Sequence, residues 1–269
     1  MGKLEVLVTT MHQSNFSKYT EMNLQTDAVL ANQADSDFTE EKIINNFRVK
    51  LITTATRGTA KNRNIAIDNI SQETEFVMFA DDDLRFYDDY EKTVLKEFEN
   101  HPEADVIKFN ANCISQRKLS MRPIEKFKKV TRRDVTAYGV LAMAVKKDVL
   151  LEKNLKFNER FGPGTKNYCG EDSIFLQEMF KKGISFFVSP LYIADIDQEN
   201  SSWFEGYNEK YFVVSGMIIN ECYPVLSYLL VLRSAIKAHK RGKTELSFWQ
   251  ITKCYYKGIF KNIKEKAVN

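Results

Sequence analysis

The chain has 269 residues, of which 43% are hydrophobic and 28% are charged, and its formal net charge at pH 7 is +3. This length suits one large domain, or one domain with an appendage. The small net charge gives no argument for nucleic-acid binding. No apolar run approaches the roughly 20 residues of a membrane-spanning helix, which predicts a cytoplasmic protein. The four cysteines form no CxxC pair, so we expect reduced thiols and no zinc site.

Four β-rich, apolar segments in the first 80 residues predict buried strands, at residues 4–10, 28–31, 48–54 and 76–80. Residues 61–70, between the third and the fourth, carry apolar side chains at helical spacing. Strands that alternate with helices indicate an α/β domain, Rossmann-like, with a mainly parallel central sheet.

Polar clusters follow three of these strands, at residues 32–37, 57–59 and 81–83. In open parallel sheets, ligands bind beyond the carboxyl ends of the strands. We therefore expect the three clusters to converge at one edge of the sheet.

The pattern continues with an amphipathic helix over residues 88–100 and a short strand over residues 105–109. Residues 115–134 are strongly basic and predict a loop, and residues 139–145 are again apolar. A helix is expected over residues 173–182, where Gly183 ends it.

The acidic triplet Asp81-Asp82-Asp83 follows the fourth predicted strand directly. Adjacent carboxylates repel one another, so they need a cation, basic neighbours or full solvation. Along extended backbone Asp81 and Asp83 share a side, while Asp82 points away. Carboxylate oxygens suit Mg²⁺ or Mn²⁺, completed by phosphate oxygens and water. The triplet is either such a cation site or a solvated acidic turn.

Two further motifs have a functional and a purely structural interpretation. Gly170-Glu171-Asp172 stands at a predicted helix start, where acidic residues complement the helix dipole or supply a carboxylate base. The segment from Arg57 to Asn64, which includes Arg63, is either a solvated helix start or an anion-binding one.

The ordered set of motifs resembles the family 2 glycosyltransferases, which are inverting enzymes with a GT-A fold. The resemblance rests on an initial strand, a second strand with a polar loop, an "ARN"-like helix, a strand running into a DxD motif and a later "GED" helix. The corresponding segments are residues 4–10, 28–37, 60–66, 76–83 and 170–172.

The resemblance implies a role for each acidic motif. Asp83, with Asp81, would hold a divalent metal against the diphosphate of a nucleotide sugar, with a UDP-sugar favoured, and Asp82 would adjoin the donor. Asp172 would be the general base that deprotonates the acceptor hydroxyl, and Glu171 accompanies it in the predicted catalytic pair.

The remaining expected site residues surround the donor. Arg63 and Asn64 would stand near the nucleotide, Asn32 and Gln33 near the base and ribose, and Arg57 with the phosphates. Two segments depart from the family: the first strand does not end in a Pro-and-Asn turn, and Asn32-Gln33 replaces an acidic pair.

Downstream, the region around residues 194–203 matches a segment that often holds a metal-binding His in the family. Asp197 is expected to replace this His as a third metal ligand. Trp203 is either a platform for the acceptor sugar or a core residue.

The C-terminal segment, residues 228–269, alternates apolar side chains with ten Lys and Arg and only two Glu. This pattern is typical of an interfacial helix at an anionic membrane, or of an amphipathic helix docked on the domain with its lysines in water. We expect a glycosyltransferase domain over residues 1–220 and a helical extension over residues 221–269.

These features together predict transfer of a sugar to a hydroxyl of a glycan or lipid-linked acceptor, possible contact with the inner membrane surface, and no nucleic-acid partner. Two alternatives remain: a catalytically silent subunit that binds sugar nucleotides, and a GT-A-like nucleotidyltransferase. The latter would want a Gly-rich phosphate loop after the first strand, which residues 11–14 do not supply.

Overall fold

The computed structural model describes residues 2–115, 123–132, 134–199 and 206–268. The N-terminal part builds most of one sheet from β1 (Leu4–Met11), α1 (Ser17–Glu21), β2 (Asp27–Gln33), β3 (Phe38–Ile44), β4 (Phe47–Thr54), α2 (Thr59–Ile67) and β5 (Phe76–Asp81). The middle part adds β6 (Leu84–Phe86), α3 (Tyr90–Asn100), β7 (Val106–Cys113), β8 (Lys128–Lys129), a 3₁₀ turn (Val135–Ala137), β9 (Met143–Lys146), α4 (Lys147–Glu152), α5 (Glu171–Lys181) and β10 (Phe186–Ile196). Three helices follow: α6 (Glu209–Cys222), α7 (Ser227–Lys240) and α8 (Phe248–Val268).

The strands form one sheet in the order β3-β4-β2-β1-β5-β9-β7-β10-β6, and β8 pairs with β10. The α/β class is confirmed. Strands β4, β2, β1 and β5 are parallel, as are β7 and β10, whereas β3, β6, β8 and β9 run antiparallel to their neighbours. The sheet is therefore mixed, with six of the described strands in one direction and four in the other. Residues 139–145 have the apolar pattern of a buried strand, but this pattern is the same for either strand direction.

Strand β3 was not predicted from the sequence, because its four polar side chains are consecutive and six of its seven side chains are exposed. It forms a hairpin with β4 through Asn45 and Asn46, which both have positive φ, the geometry that tight hairpin turns require. As an edge strand with no buried face, β3 lacks the alternation that reveals a half-buried strand.

The sheet separates two hydrophobic cores, and β1 contributes to both through the alternation of its side chains. Val6 and Val8 face the core that contains α3, while Leu7 faces the core that contains α2 and α5. Helices α2 and α5 therefore lie on the same side of the sheet, which brings their N-terminal ends together.

Helices α6, α7 and α8 share a third core around Phe212, Val231 and Ile259. Gly216 and Gly258 allow α6 and α8 to touch backbone to backbone: a Cβ at Gly258 would lie 2.0 Å from the Val213 carbonyl oxygen. Helix α6 begins at Glu209 and continues past residue 220, so this core extends across the predicted domain boundary. Across the described ranges, no helix has both the length and the apolar character needed to span a membrane.

Candidate active site

Two threonines at the end of β1 bind the first two carboxylates of the acidic triplet. Thr9 pairs with Asp81 in the parallel register of β1 and β5, and its hydroxyl donates to Asp81 Oδ1. The Thr10 hydroxyl donates to Asp82 Oδ2 at 2.5 Å. Neither threonine was predicted as a site residue, although both lie at the end of the first predicted strand, where a polar cluster meets the ends of its neighbours.

Arg63 of α2 connects the triplet to the start of α5. Its Nη1 donates to Asp172 Oδ1 at 2.5 Å, and its Nη2 lies 3.2 Å from both carboxylate oxygens of Asp81. The side chain is only 4% exposed. Burial by itself lowers the pKa of Arg63, but the negative charges of Asp81, Asp172 and Glu171 outweigh burial and raise it. The guanidinium is thus a permanent buried cation between the two acidic motifs.

The two acidic residues at the start of α5 occupy different environments. Asp172 accepts a hydrogen bond from the Val140 backbone N–H at 3.2 Å, and its side chain remains 27% exposed. Glu171 is buried, and Gly162 packs directly against its carboxylate. Burial, followed by the neighbouring charge of Asp172, raises the pKa of Glu171 to about 8, so it is largely protonated at neutral pH. Only Asp172 combines a negative charge with access to solvent.

Asp83 differs from the other two carboxylates of the triplet in its hydrogen bonding. Among the described residues its buried Oδ1 has no hydrogen-bond partner. Burial, and then the charges of Asp81 and Asp82, raise the pKa of Asp83 to about 7. Strand β5 ends at Asp81, so Asp83 lies in the turn toward β6 rather than on the extended backbone that the sequence suggested.

Asp197 lies beside Asp83 through a backbone contact, because its N–H donates to the Asp83 carbonyl at 3.1 Å. Its exposed carboxylate accepts a hydrogen bond from the Glu199 backbone at 3.1 Å. Asp197 is thus near the triplet, as the sequence predicted, and whether it binds metal stays a prediction.

A hard divalent cation fits this group of carboxylates. A buried, unpartnered carboxylate oxygen surrounded by like charges is stabilised by a cation. In the described parts of the chain, no three His, Cys, Asp or Glu side chains form a ready-made metal cluster. A Mg²⁺-type site needs only one or two carboxylates, which substrate phosphates and water complete.

Asn32 and Gln33 are buried and bind protein groups rather than lining an open pocket. The Asn32 side chain bonds both the N–H and the carbonyl of Gln13, at 2.9 and 2.8 Å. Gln33 Oε1 accepts from the Gly58 N–H at 2.7 Å. These hydrogen bonds fix the loops that follow β1 and β4, and a contact of either side chain with a nucleotide stays a prediction.

Arg57 and Asn64 bind partners other than the acidic triplet and Asp172. Arg57 is exposed and donates to Asp35 Oδ1 at 2.5 Å, on the loop after β2. Asn64 is buried. Its side-chain amide donates to the Phe157 carbonyl at 3.0 Å and accepts from the Phe157 N–H at 2.8 Å. Of the residues expected near the nucleotide, Arg57 is the one that reaches solvent.

Parts of the basic segment 115–134 and of the segment 194–203 are outside the described residues. These include Trp203 and, from the basic segment, Arg117, Lys118, Arg122 and Arg133.

The model for glycosyl transferase family 2 matches residues 22–182, more than half of the chain. The chain therefore belongs to glycosyl transferase family 2, as the motifs predicted. No curated protein sequence matches it.

Solved structures of Staphylococcus aureus TarS share the fold. The TarS 1–349 complex with UDP-GlcNAc has 17% sequence identity and a TM-score of 0.61, over 81% of this chain and 66% of that one. The complex of the same TarS segment with UDP has 16% identity and a TM-score of 0.61, over 90% and 72%. A longer TarS structure has 16% identity and a TM-score of 0.58, over 81% of this chain but only 39% of TarS. At these identities the match shows a common GT-A-like fold, and the chain spans less than two thirds of TarS.

Proposed function

We propose that the chain is an inverting glycosyltransferase that moves a sugar from a UDP-sugar to a hydroxyl of a glycan or glycolipid. The observation that carries this proposal is the contact of one buried guanidinium, Arg63, with both Asp81 and Asp172. Two acidic motifs that are distant in the sequence thereby form a single site at the carboxyl edge of the sheet.

The acidic triplet would form the donor side of this site. Asp83 and Asp81 would hold Mn²⁺ or Mg²⁺, with Asp197 as a candidate third ligand. When bound, the cation supplies charge neutralisation to the departing diphosphate. Thr9 and Thr10 orient Asp81 and Asp82, so that the carboxylates are in place before the donor arrives.

Asp172 would be the general base of a single displacement. The acceptor oxygen forms a bond to the anomeric carbon while the bond from that carbon to the diphosphate oxygen breaks, and the hydroxyl proton passes to Asp172. UDP leaves with the bonding electron pair, and attack from the opposite face inverts the anomeric configuration. Arg63 and the Val140 N–H each bind one Asp172 oxygen, which orients the carboxylate and leaves its exposed lone pairs for the acceptor.

Two features support UDP as the nucleotide. TarS, which shares the fold, has been solved with UDP and with UDP-GlcNAc. In this chain the exposed Arg57 lies on the same carboxyl edge of the sheet, beside Asp35. Asn32 and Gln33 would act on the nucleotide indirectly, through the loops that they fix.

The test is turnover of UDP-sugars with Mn²⁺ or Mg²⁺, using hydrolysis by water when no acceptor is supplied. We expect loss of activity of about 100-fold or more in both Asp83→Ala and Asp172→Asn. Asp148→Asn, an exposed carboxylate at the start of α4, is the control. Full activity in either site variant would contradict its assigned role. Tight UDP-sugar binding without any turnover would favour the silent-subunit alternative.

A further inference from the structure

Helices α7 and α8 expose large apolar side chains on the faces that point away from the protein. Leu229 of α7 is 69% exposed, and Trp249 and Phe260 of α8 are 75% and 61% exposed. Monomeric proteins rarely expose apolar side chains of this size as a contiguous group.

These residues are distinct from those that dock the helices. On α8 the buried positions include Ile251, Tyr255 and Ile259, whereas Trp249 and Phe260 lie on the opposite side of the helix. Arg160 anchors the docked side, since its Nη2 donates to Asn262 at 2.7 Å. Docking on the domain therefore explains the inner face of α8 and leaves the outer apolar residues without a structural role.

The same holds for α7. Its buried positions, Val231 and Ala235, belong to the third core. Leu229 and Ile236 are exposed on the other side, about two helical turns apart. The turn before α7 adds Val225, the most exposed large apolar residue of the described chain.

The outer faces of α7 and α8 meet through two tyrosines. The Tyr256 hydroxyl donates to the Tyr228 carbonyl at 3.0 Å, and the two rings are 6.2 Å apart. We call the combined surface the outer helical face. It consists of Val225, Leu226, Tyr228, Leu229, Arg233, Ile236 and Lys240 from α7 and its preceding turn, and of Trp249, Lys253, Tyr256, Lys257, Phe260, Ile263 and Lys264 from α8.

The charged groups of this face are all positive. Helix α7 has no acidic residue, and the one acidic residue of α8, Glu265, is bound to Arg160 at 3.0 Å. In the loop that joins the two helices, residues 241–247, Glu245 is accompanied by Arg241 and Lys243. The face thus combines exposed aromatic and aliphatic side chains with cations and has almost no counter-charge.

We propose that the outer helical face binds the surface of an anionic lipid bilayer, with α7 and α8 lying along the interface. Trp, Phe and Leu side chains enter the boundary between headgroups and acyl chains, while Lys and Arg contact anionic headgroups. A tryptophan flanked by lysines is well suited to this boundary, because its ring is amphipathic.

Charge separates this partner from two others. A second copy of the chain, paired through the same face, would bring two positive surfaces together. A nucleic acid would be contacted by the cations but would leave Leu229, Ile236 and Phe260 exposed to water. An anionic bilayer uses the apolar and the cationic groups at once.

The first experiment measures co-sedimentation of the full chain with vesicles of phosphatidylcholine alone, or of phosphatidylcholine mixed with phosphatidylglycerol. We expect binding to the anionic vesicles that weakens as salt is added, and little binding to the neutral ones. Lys253→Glu/Lys264→Glu should reduce the bound fraction at least about tenfold. Lys92→Glu/Lys96→Glu on α3 makes the same change of net charge at exposed lysines elsewhere. This control should keep the bound fraction within about twofold of the wild type.

The second experiment uses Trp249 as its own reporter. The chain has two tryptophans, so Trp203→Phe leaves Trp249 as the single tryptophan, whose emission can be excited selectively. We expect its emission to shift to the blue and to resist aqueous quenchers when anionic vesicles are added. Phe260→Ser in this background should weaken binding several-fold, whereas Ile43→Ser, an equally exposed apolar residue on β3, should not.

Three results would overturn the proposal: no binding to anionic vesicles, equal binding by the Lys253→Glu/Lys264→Glu variant, or unchanged Trp249 emission. Dimerisation in solution that Phe260→Ser abolishes, without vesicle binding, would assign the face to a second copy. Because all readouts measure binding and none measures sugar transfer, their outcome is independent of the proposed enzymatic function.

Discussion

Arg63 and Asp172, 109 residues apart in the sequence, are joined by a hydrogen bond of 2.5 Å between Nη1 and Oδ1. The guanidinium is buried and also contacts Asp81, so it acts on both halves of the candidate site. Arg63 was expected beside the nucleotide. Its buried contacts with both carboxylates favour a positioning role, and whether Arg63 also contacts the nucleotide stays a prediction.

Removal of this cation should destabilise the fold. We expect Arg63→Met to lower the free energy of unfolding by about 3 kcal/mol at neutral pH, because it leaves the partly buried carboxylates of Asp81 and Asp172 without their counter-charge. Urea unfolding measures the loss, and Arg57→Met, which removes an exposed arginine, should cost no more than about 1 kcal/mol. The deficit should shrink toward acidic pH, where the carboxylates freed from Arg63 take up protons in the folded state. A pH-independent deficit, or none, would contradict the buried-charge explanation.

The two neighbouring acids at the start of α5 should respond differently to amide substitution. Glu171, whose pKa is raised to about 8, is mostly neutral at pH 7, so Glu171→Gln replaces a protonated carboxyl with a group of similar shape. We expect its donor turnover to stay within a few-fold of wild type, while Asp172→Asn loses about 100-fold to 10,000-fold. Comparable losses in initial-rate assays of both variants would show that Glu171 takes part directly.

The raised pKa of Glu171 should also change how the stability of the fold depends on pH. Glu171 holds its proton in the folded chain up to a pH of about 8, whereas in the unfolded chain it ionises near its ordinary pKa of 4.5. Between these values the folded state binds more protons, so this residue lowers stability as pH rises. Glu171→Gln should remove that part of the slope in unfolding measured from acidic pH to about pH 8. An unchanged slope would mean that Glu171 is ionised in the folded chain.

Metal binding should depend on pH through Asp83. Its pKa is raised to about 7, so below that pH a cation must displace a proton from the carboxyl. Mn²⁺ affinity, measured by calorimetry, should rise about tenfold per pH unit below pH 7 and level off above it. Asp83→Asn should bind weakly and without this dependence. A flat profile in the wild type would argue against Asp83 as a ligand.

The contact of α6 with α8 should not tolerate a side chain at Gly258. A Cβ there would lie 2.0 Å from a backbone carbonyl oxygen, so the helices must separate. We expect Gly258→Ala to cost about 3 kcal/mol or more in urea unfolding. Gly183→Ala is the control: its Cβ would meet open space, and only the positive φ of 75° is strained, at about 1–2 kcal/mol. Equal costs would contradict the close helix contact.

The parts of the fold that the sequence revealed are those with a buried, periodic pattern. The strands ending at Met11, Thr54 and Asp81, and the helix that begins at Glu171, follow from apolar runs and from polar residues near their ends. Strand β3 has no buried face, and the direction of β9 leaves no trace in its apolar sequence, so neither could be predicted.

For the site, residue type located the acidic groups but not their contacts. Asp81 and Asp172 were selected by the ordered set of motifs, because a carboxylate at a strand end or a helix start also has common structural uses. The burial of Asn32, Asn64 and Glu171 depends on long-range packing, for example that of Asn64 against Phe157, 93 residues away. Local sequence carries no record of such distant contacts.

Calorimetric titration of the chain with UDP, with and without Mn²⁺, tests most directly whether the acidic triplet is the donor site of a glycosyltransferase. If the triplet is the donor site, UDP binds tightly only when metal is present, Asp83→Asn abolishes the effect of metal, and Asp172→Asn retains both binding and metal dependence. UDP binding that is the same with and without Mn²⁺, or the same in Asp83→Asn as in the wild type, would contradict this assignment.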